Sequence, residues 1–384
     1  MFENIIGQKN NVELLSSAVQ RGNLPPALLF LGPAYTGKLS TALELARSLT
    51  CEQNAHWECS CAVCHAQREL TYPYTVMLGN RYFTQEIHRT ANVFLSKPCK
   101  PTFFLFLRSL RKLLRRFDNF LWDEHDNHYR KARPILTQLA EQVSEFDQSD
   151  YEQIAKKKAK EIQLIVDKGT KLAAMMKGYY VSISQIRALR HWCTTTSWQK
   201  KIVIIEEADR MNEGARNALL KILEEPPAGL YFVLIAPSKA TIMPTLLSRL
   251  RSYQFLQRCH EDERQILQRI FRQSQDDLTL ETFFGAHQGT NLHSAAREFY
   301  TGILNCAKFS DVYPGESAEE NFEQFLYDLS LEIQQRWQAG EILSSLAQEM
   351  LHDMGNMRQQ FLIYRQSAQS LAESFFFRYF NRKN

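Results

Sequence analysis

Leu28-Leu29-Phe30-Leu31-Gly32-Pro33-Ala34-Tyr35-Thr36-Gly37-Lys38 is the stretch on which the fold turns. Four apolar residues in a row read as a buried parallel strand. Gly32 to Lys38 then fits G-x-x-x-x-G-K. Beyond it Leu39, Ala42, Leu43, Leu45 and Ala46 fall on or near one face of a helix. Strand, glycine loop and helix in that order are the context this motif requires. Glycines let backbone N–H groups wrap a phosphate, the helix N-terminus adds partial positive charge, and the lysine reaches the β- and γ-phosphates. A working loop of this kind is followed by Ser or Thr, which ligates Mg²⁺. Leu39 stands there instead and has no oxygen to offer. Ser40 comes one residue later, turned by about 100° around the helix, and is expected to point away from the metal.

Further along, Ile202-Val203-Ile204-Ile205-Glu206-Glu207 is an apolar strand ending in two carboxylates. Asp is the usual first carboxylate of a magnesium-holding strand end. Glu206 carries one methylene more, and Mg²⁺ demands near-ideal octahedral geometry. Glu207 sits where a hydrolytic base would sit. Asn212 to Leu223 reads as a helix stopped by Pro226-Pro227, and Tyr231 to Ala236 as a third strand. Before the loop, residues 2–24 read as a helical entry segment with Leu14, Leu15 and Val19 on one face, broken by Gly22 and Pro25-Pro26. Strands alternating with helices predict an α/β domain with a parallel sheet. From about residue 260 the pattern is helical, with no strand.

The bulk properties agree with a globular chain of two or three domains. It has 384 residues, 44% hydrophobic and 23% charged, with a formal net charge of +4. That charge permits contact with nucleic acid without demanding it. No segment approaches the roughly 18–20 apolar residues of a membrane span, and Met1 to Gly7 shows no basic segment leading an apolar core. No membrane association and a cytoplasmic location are expected.

Phe2-Glu3-Asn4-Ile5-Ile6-Gly7-Gln8 resembles the opening of bacterial DNA polymerase III clamp-loader AAA+ subunits. So do Ala208-Asp209-Arg210-Met211-Asn212 and the run from Asn217 through Ala218-Leu219-Leu220-Lys221-Ile222-Leu223 to Glu224-Glu225-Pro226-Pro227. Pro244-Thr245-Leu246-Leu247-Ser248-Arg249-Leu250 resembles the family's Ser-Arg-Cys motif, with Leu250 in place of the cysteine. The resemblance covers residues 1–78 and 178–256 and leaves out 80–177. It implies an α/β AAA+ P-loop NTPase core, then a helical lid and an all-α C-terminal collar. It also implies that Arg249 reaches into a neighbouring subunit's ATP site, where a fixed guanidinium suits transition-state phosphate charge. Near Gly289-Thr290-Asn291-Leu292-His293-Ser294-Ala295 the family's ATP-binding members carry a sensor arginine. None stands in register here, and Arg297 is the nearest.

Leu39, Glu206 and the missing sensor arginine favour the delta-prime type over an ATP-hydrolysing gamma/tau type. The expected partners are the gamma/tau and delta subunits in a hetero-oligomeric ring, the sliding clamp, and primed DNA through the complex. Any ATP/Mg site is doubtful on these grounds. If nucleotide binds at all, residues 2–7 would line its adenine pocket, Gly32, Gly37, Lys38, Leu39, Ser40 and Glu206 would be the cofactor-binding residues, with Lys38 able to hold phosphate without metal, and Glu207 would be a vestigial base. The expected domains are an AAA+ core over 1–249, a lid over 250–300 and a collar over 301–384.

Cys51, Cys59, Cys61 and Cys64 give C-x7-C-x-C-x2-C within that core. Four thiolates close a structural zinc site. The family has a zinc module here with a slightly wider middle spacing. The tighter step leaves open that His56 or His65 replaces one cysteine.

The insertion, about 81–177, is expected to be a helical arm or hairpin. Within it Phe103, Phe106, Leu110, Leu113, Phe117 and Phe120 repeat at helical spacing. Arg108, Arg111, Lys112, Arg115 and Arg116 fall toward the other side. Three readings stay open for this basic face: a solvated surface on a helix packed against the core, contact with a partner protein or DNA backbone, or contact with a membrane surface.

Overall fold

Five short runs pair into one parallel sheet in the computed structural model, which describes residues 1–147, 151, 154, 159–176, 180–195, 199–274, 278–285, 292–315, 322–364 and 366–380. The chain forms two compact units, Met1–Phe284 and Gly285–Asn384.

In the first unit α1 (Lys9–Gln20) precedes β1 (Ala27–Leu31) and α2 (Lys38–Thr50), followed by α3 (Ala62–Glu69) and β2 (Thr75–Leu78). The insertion contributes α4 (Phe83–Ser96), α5 (Lys100–Leu114), α6 (Asn127–Asp147) and α7 (Ala159–Met175). Next come α8 (Ile183–Thr194), β3 (Lys201–Ile205), α9 (Glu213–Glu224), β4 (Leu230–Ala236), α10 (Pro244–Leu247) and β5 (Arg251–Gln254). Helices α11 (His260–Arg269) and α12 (Leu280–Gly285) end the series.

The strand order is β2-β3-β4-β1-β5, and every pairing is parallel. Ala27 pairs with Phe232, Leu28 with Arg251 and Thr75 with Ile202. Strands β1, β2 and β3 are buried along their whole length, as continuous apolar runs covered on both faces must be. β2 and β5 were not anticipated from sequence. β5 also carries the sheet past residue 249, where the sequence reading ended the core.

Alternation along the strands sends side chains to two separate cores. Leu28, Phe30, Met77, Ile202 and Ile204 pack with Leu15 of α1 and with the apolar face of α2. α1 buries Leu15 but leaves Leu14 57% exposed, so the two do not share the buried face. Leu29, Leu31, Val76, Leu78, Val203 and Ile205 face the other way, into a core shared with α4 to α9.

The insertion is therefore neither an arm nor a hairpin. Phe83, Ile87, Phe94, Phe106 and Leu110 belong to the same apolar cluster as the sheet. Of the apolar stripe on α5 and beyond, only Phe120 stays partly exposed, stacked 5.7 Å from Trp192.

The second unit is helical throughout its described residues: α13 (Leu292–Leu304), α14 (Phe309–Val312), α15 (Phe322–Gln338), α16 (Ser344–Tyr364) and α17 (Ala368–Tyr379). Its own core centres on Phe299, which meets Phe325 at 5.3 Å and Phe376 at 5.4 Å. No helix among the described residues is long and apolar enough to cross a membrane.

Candidate functional site

The glycine loop sits between β1 and α2 with the conformation its motif demands. Gly37 caps α2 at φ +92°, a region side chains avoid. A Cβ there would also meet Arg258 Nη2 at 2.4 Å. Lys38 turns back on the loop, its Nζ donating to the carbonyls of Gly32 and Pro33. Burial pulls the Lys38 ammonium down to about 8, although Glu206 pulls the other way. Leu39 is only 7% exposed and belongs to the core beneath α2, while Ser40 is exposed. The position that should offer an oxygen to Mg²⁺ is thus spent on packing.

Arg258, just past β5, closes over the same loop. Its Nε donates to the Ile6 carbonyl at 3.1 Å and its Nη1 donates to the Tyr35 carbonyl. Tyr35 stacks on Phe284 at 5.3 Å and lies 4.9 Å from Tyr82. The first turn of α4 and the last helix of the first unit thus meet over the glycine loop.

The carboxylates after β3 part company. Glu206 is buried and lines the cavity at the loop, whereas Glu207 adopts φ +50°, pairs with Arg210 at 3.5 Å and is not among the cavity-lining residues. Burial pushes the Glu207 carboxyl up. Neither finding suits a base poised over an attacking water.

Glu206 is already neutralised, and from an unexpected source. Arg116 Nη2 contacts its Oε2, and Arg81 Nη1 lies 3.4 Å from its Oε1. Both arginines come from the insertion. Arg81 also lies 3.3 Å from Glu86, whose other oxygen accepts from Lys112 Nζ. Three cations and two carboxylates form one buried network around Glu206. Gly79 permits the close approach: at φ +88°, a Cβ there would stand 1.9 Å from the Glu206 carbonyl oxygen.

The basic face of α5 and of the turn after it is consequently not a solvated surface. Arg116 is 1% exposed and Arg111 is 7% exposed. Arg115 donates to the carbonyls of Tyr72, at 3.3 Å, and Thr75, tying the insertion to β2. Burial brings Arg108 and Arg116 down to about 10 and Lys112 down to about 8.

Arg249 follows α10 and lies outside the cavity lining. Its side chain is 34% exposed, and its guanidinium is held by Glu224 at 2.8 Å and the Thr245 carbonyl at 2.9 Å. Leu250, in the cysteine's place, is buried in the sheet core. Of the sensor region, 289–291 lie outside the described residues, and Arg297 is exposed on α13.

Cys51, Cys59, Cys61 and Cys64 come together between α2 and α3, their Sγ atoms all within 4.8 Å of one another. Cys51 and Cys59 are 3.7 Å apart. Zn–S bonds of roughly 2.3 Å place the sulfurs of a tetrahedron about 3.8 Å apart, so the donor set fits zinc. Arg47 Nη1 donates to Cys64 Sγ at 3.0 Å, and the same guanidinium bonds the carbonyls of Ala55 and His56. Burial raises the Cys61 thiol, but backbone hydrogen bonds from Cys64 and Glu52 outweigh it and bring it to about 7. His56 and His65 are outside this group and well exposed, pairing with Glu3 and Glu69.

The sequence reading missed Arg81, Glu86 and Arg258, and misplaced the role of Lys112 and Arg116. The only sequence signal was positional: Arg81 follows β2 by three residues, at the edge of the sheet where the loop also lies.

The family described as "DNA polymerase III, delta subunit" matches residues 7–89 and 128–258. The match reaches into the insertion, which the sequence reading had left out whole. It passes over 90–127, the stretch that holds Lys112 and Arg116. DNA polymerase III subunit delta' of Haemophilus influenzae is 37% identical over 76 residues, 19% of this chain and 23% of that protein. Subunit delta' of Bacillus subtilis is 36% identical over 80 residues, 20% of this chain and 24% of that protein. Subunit gamma/tau of Mycobacterium tuberculosis H37Rv is 36% identical over 73 residues, 19% of this chain and 13% of that protein. The aligned stretch thus spans about a quarter or less of these relatives' length.

Proposed function

The chain belongs to the DNA polymerase III delta subunit family, and from that membership we propose that it is a delta-prime-type clamp-loader subunit whose own ATP site is inert. The observation that carries the reading is the pairing of Glu206 with Arg116 and Arg81. An inner-sphere Mg²⁺ would have to displace two guanidinium groups from a carboxylate that is 10% exposed. Leu39 in the core and Glu207 off the cavity remove the remaining parts of a hydrolytic site.

In this role the subunit acts on a neighbour. Arg249 is surface-accessible and held by a single exposed carboxylate, Glu224, which a phosphate can outcompete. It serves as an arginine finger in trans, within a ring that includes gamma/tau and delta subunits and loads the sliding clamp on primed DNA. The all-helical second unit, with Tyr327, Leu343 and Phe377 each more than half exposed, supplies the collar over residues 301–384. The cysteine module holds structural zinc and fixes the loop between α2 and α3. A gamma/tau-type ATPase is the rival reading, supported by the intact loop from Gly32 to Lys38.

Replacing Arg249 by Ala in the reconstituted complex tests the role. The complex should assemble normally and lose about tenfold or more of the neighbour's ATPase rate. An unchanged rate sinks the arginine-donor reading.

A further inference from the structure

The cavity at the glycine loop extends well beyond it. Its volume is about 450 Å³, within the range of small-molecule sites. The loop and Asn4, Ile5 and Ile6 form part of its wall. The rest is built from Glu44 and Arg47 of α2, Trp57 and Arg68 of the cysteine module, and Phe104, Arg108 and Lys112 of α5. Eight cationic side chains line it against three carboxylates, Glu44, Glu86 and Glu206, a formal excess of five positive charges.

The three carboxylates are all engaged. Glu44 grips Arg47 at 2.6 Å, Glu86 takes Lys112 and Arg81, and Glu206 takes Arg116 and Arg81. No lining carboxylate is free to hold a divalent metal. Among the described residues Lys38, Arg68, Arg108 and Arg258 make no ion pair.

Arg68 and Arg108 are nevertheless held in place. Arg108 Nη1 donates to the Arg68 carbonyl at 2.5 Å, and Arg68 Nη1 donates to the Cys59 carbonyl at 2.7 Å. Arg68 lies over the Trp57 ring at 5.0 Å and Arg108 over the Phe104 ring at 5.7 Å. Guanidinium groups stacked on aromatic faces are pre-organised, so little rotamer freedom is lost when they bind. Burial disfavours the Arg108 charge, and the more distant Glu86 and Glu44 offset this only in part, so an incoming anion stabilises it.

We propose that this cleft binds a small polyanion bearing two or more phosphate groups without any divalent metal, with Arg68 and Arg108 as its principal ligands. The inference rests on the reading of Glu206 as closed to magnesium, but it concerns a wall of the cavity that the glycine loop does not form. Inorganic polyphosphate and the phosphate tail of a nucleotide share this chemistry.

Isothermal titration of the whole chain with tripolyphosphate, and separately with ATP, tests it, each in EDTA and in excess Mg²⁺. Binding should appear in EDTA and weaken when Mg²⁺ sequesters the ligand. Equal affinities assign the site to phosphate alone, and tighter ATP binding assigns it to a nucleotide. Arg108→Gln and Arg68→Gln should each weaken binding about tenfold or more, while Arg108→Lys, which keeps the charge but loses the stacked fork, should fall between wild type and Arg108→Gln. No binding in EDTA overturns the proposal. So does binding that survives both glutamine variants, or that is lost only in Lys38→Ala. Mg²⁺-dependent ATP binding with turnover would instead sink the inert-subunit reading and leave the effect of Arg108→Gln still decisive for the cleft.

Discussion

Arg116→Met should destabilise the first unit by about 2 kcal/mol, and the same change made together with Glu206→Gln should cost almost nothing. Arg116 is 1% exposed and contacts Glu206, itself 10% exposed at the side chain. Removing one partner of a buried pair typically costs about 3–5 kcal/mol, because the other charge is stranded. Two features of this site reduce that figure. Arg81 remains 3.4 Å from the other Glu206 oxygen. Arg116 also carries Nε and Nη1 groups buried without a hydrogen-bond partner, and their burden, about 1 kcal/mol each at the low end of the usual range, disappears with the guanidinium. Methionine keeps most of the volume against Phe83, whose ring lies 5.5 Å from the guanidinium carbon. In the double variant neither charge is stranded, and apolar or neutral replacement of both partners is often neutral. Urea unfolding followed by tryptophan fluorescence reads the effect, since Trp122 Nε1 donates to the Arg116 carbonyl at 2.9 Å. A loss below about 0.5 kcal/mol for the single variant, or a double variant as unstable as the sum of the singles, would refute the pairing.

Other consequences follow from separate parts of the molecule. Cys64→Ser, or treatment with a strong chelator, should unfold the loop between α2 and α3 and lower the chain's melting temperature by several degrees, with one equivalent of zinc released by metal analysis; a metal-free chain of unchanged stability would contradict the four-thiolate site. Burial raises the Asp118 carboxyl to about 6, and its Oδ2 lacks a hydrogen bond despite Arg115 at 3.3 Å. A folded-state value above the unfolded one gives stability that is present below pH 4 and lost as pH rises through 6. Asp118→Asn should therefore match wild type near pH 4 and exceed it by about 1–2 kcal/mol at pH 7.5, measured as melting temperature against pH; a variant less stable than wild type at pH 7.5 speaks against this.

Much of the core could be read from the chain alone. β1, β3 and β4 are continuous apolar runs, and the loop between β1 and α2 carries its own signature. β2 is only four residues long, followed at once by Gly79, and β5 reads Arg251-Ser252-Tyr253-Gln254 with a single buried residue. β2, though buried throughout, is too short to stand out, and β5, an edge strand, carries too little apolar pattern. The cysteine spacing brought the right four residues forward, but only the geometry separates them from His56 and His65. The insertion shows where periodicity stops being informative. Helical spacing correctly grouped Phe103, Phe106, Leu110 and Leu113 on a buried face. It also grouped the basic residues, yet nothing in the spacing says what a second face meets. Arg116 and Glu206 are separated by ninety positions in sequence, and their contact exists only because the insertion folds back over the sheet.

Titration of the purified chain with ATP, in the presence and absence of magnesium, together with steady-state phosphate release, bears most directly on the inert P-loop. With Glu206 held by Arg116 and Arg81, magnesium should bring no gain in ATP affinity, and turnover should stay at background. Micromolar affinity that depends on magnesium, accompanied by phosphate release, would contradict it.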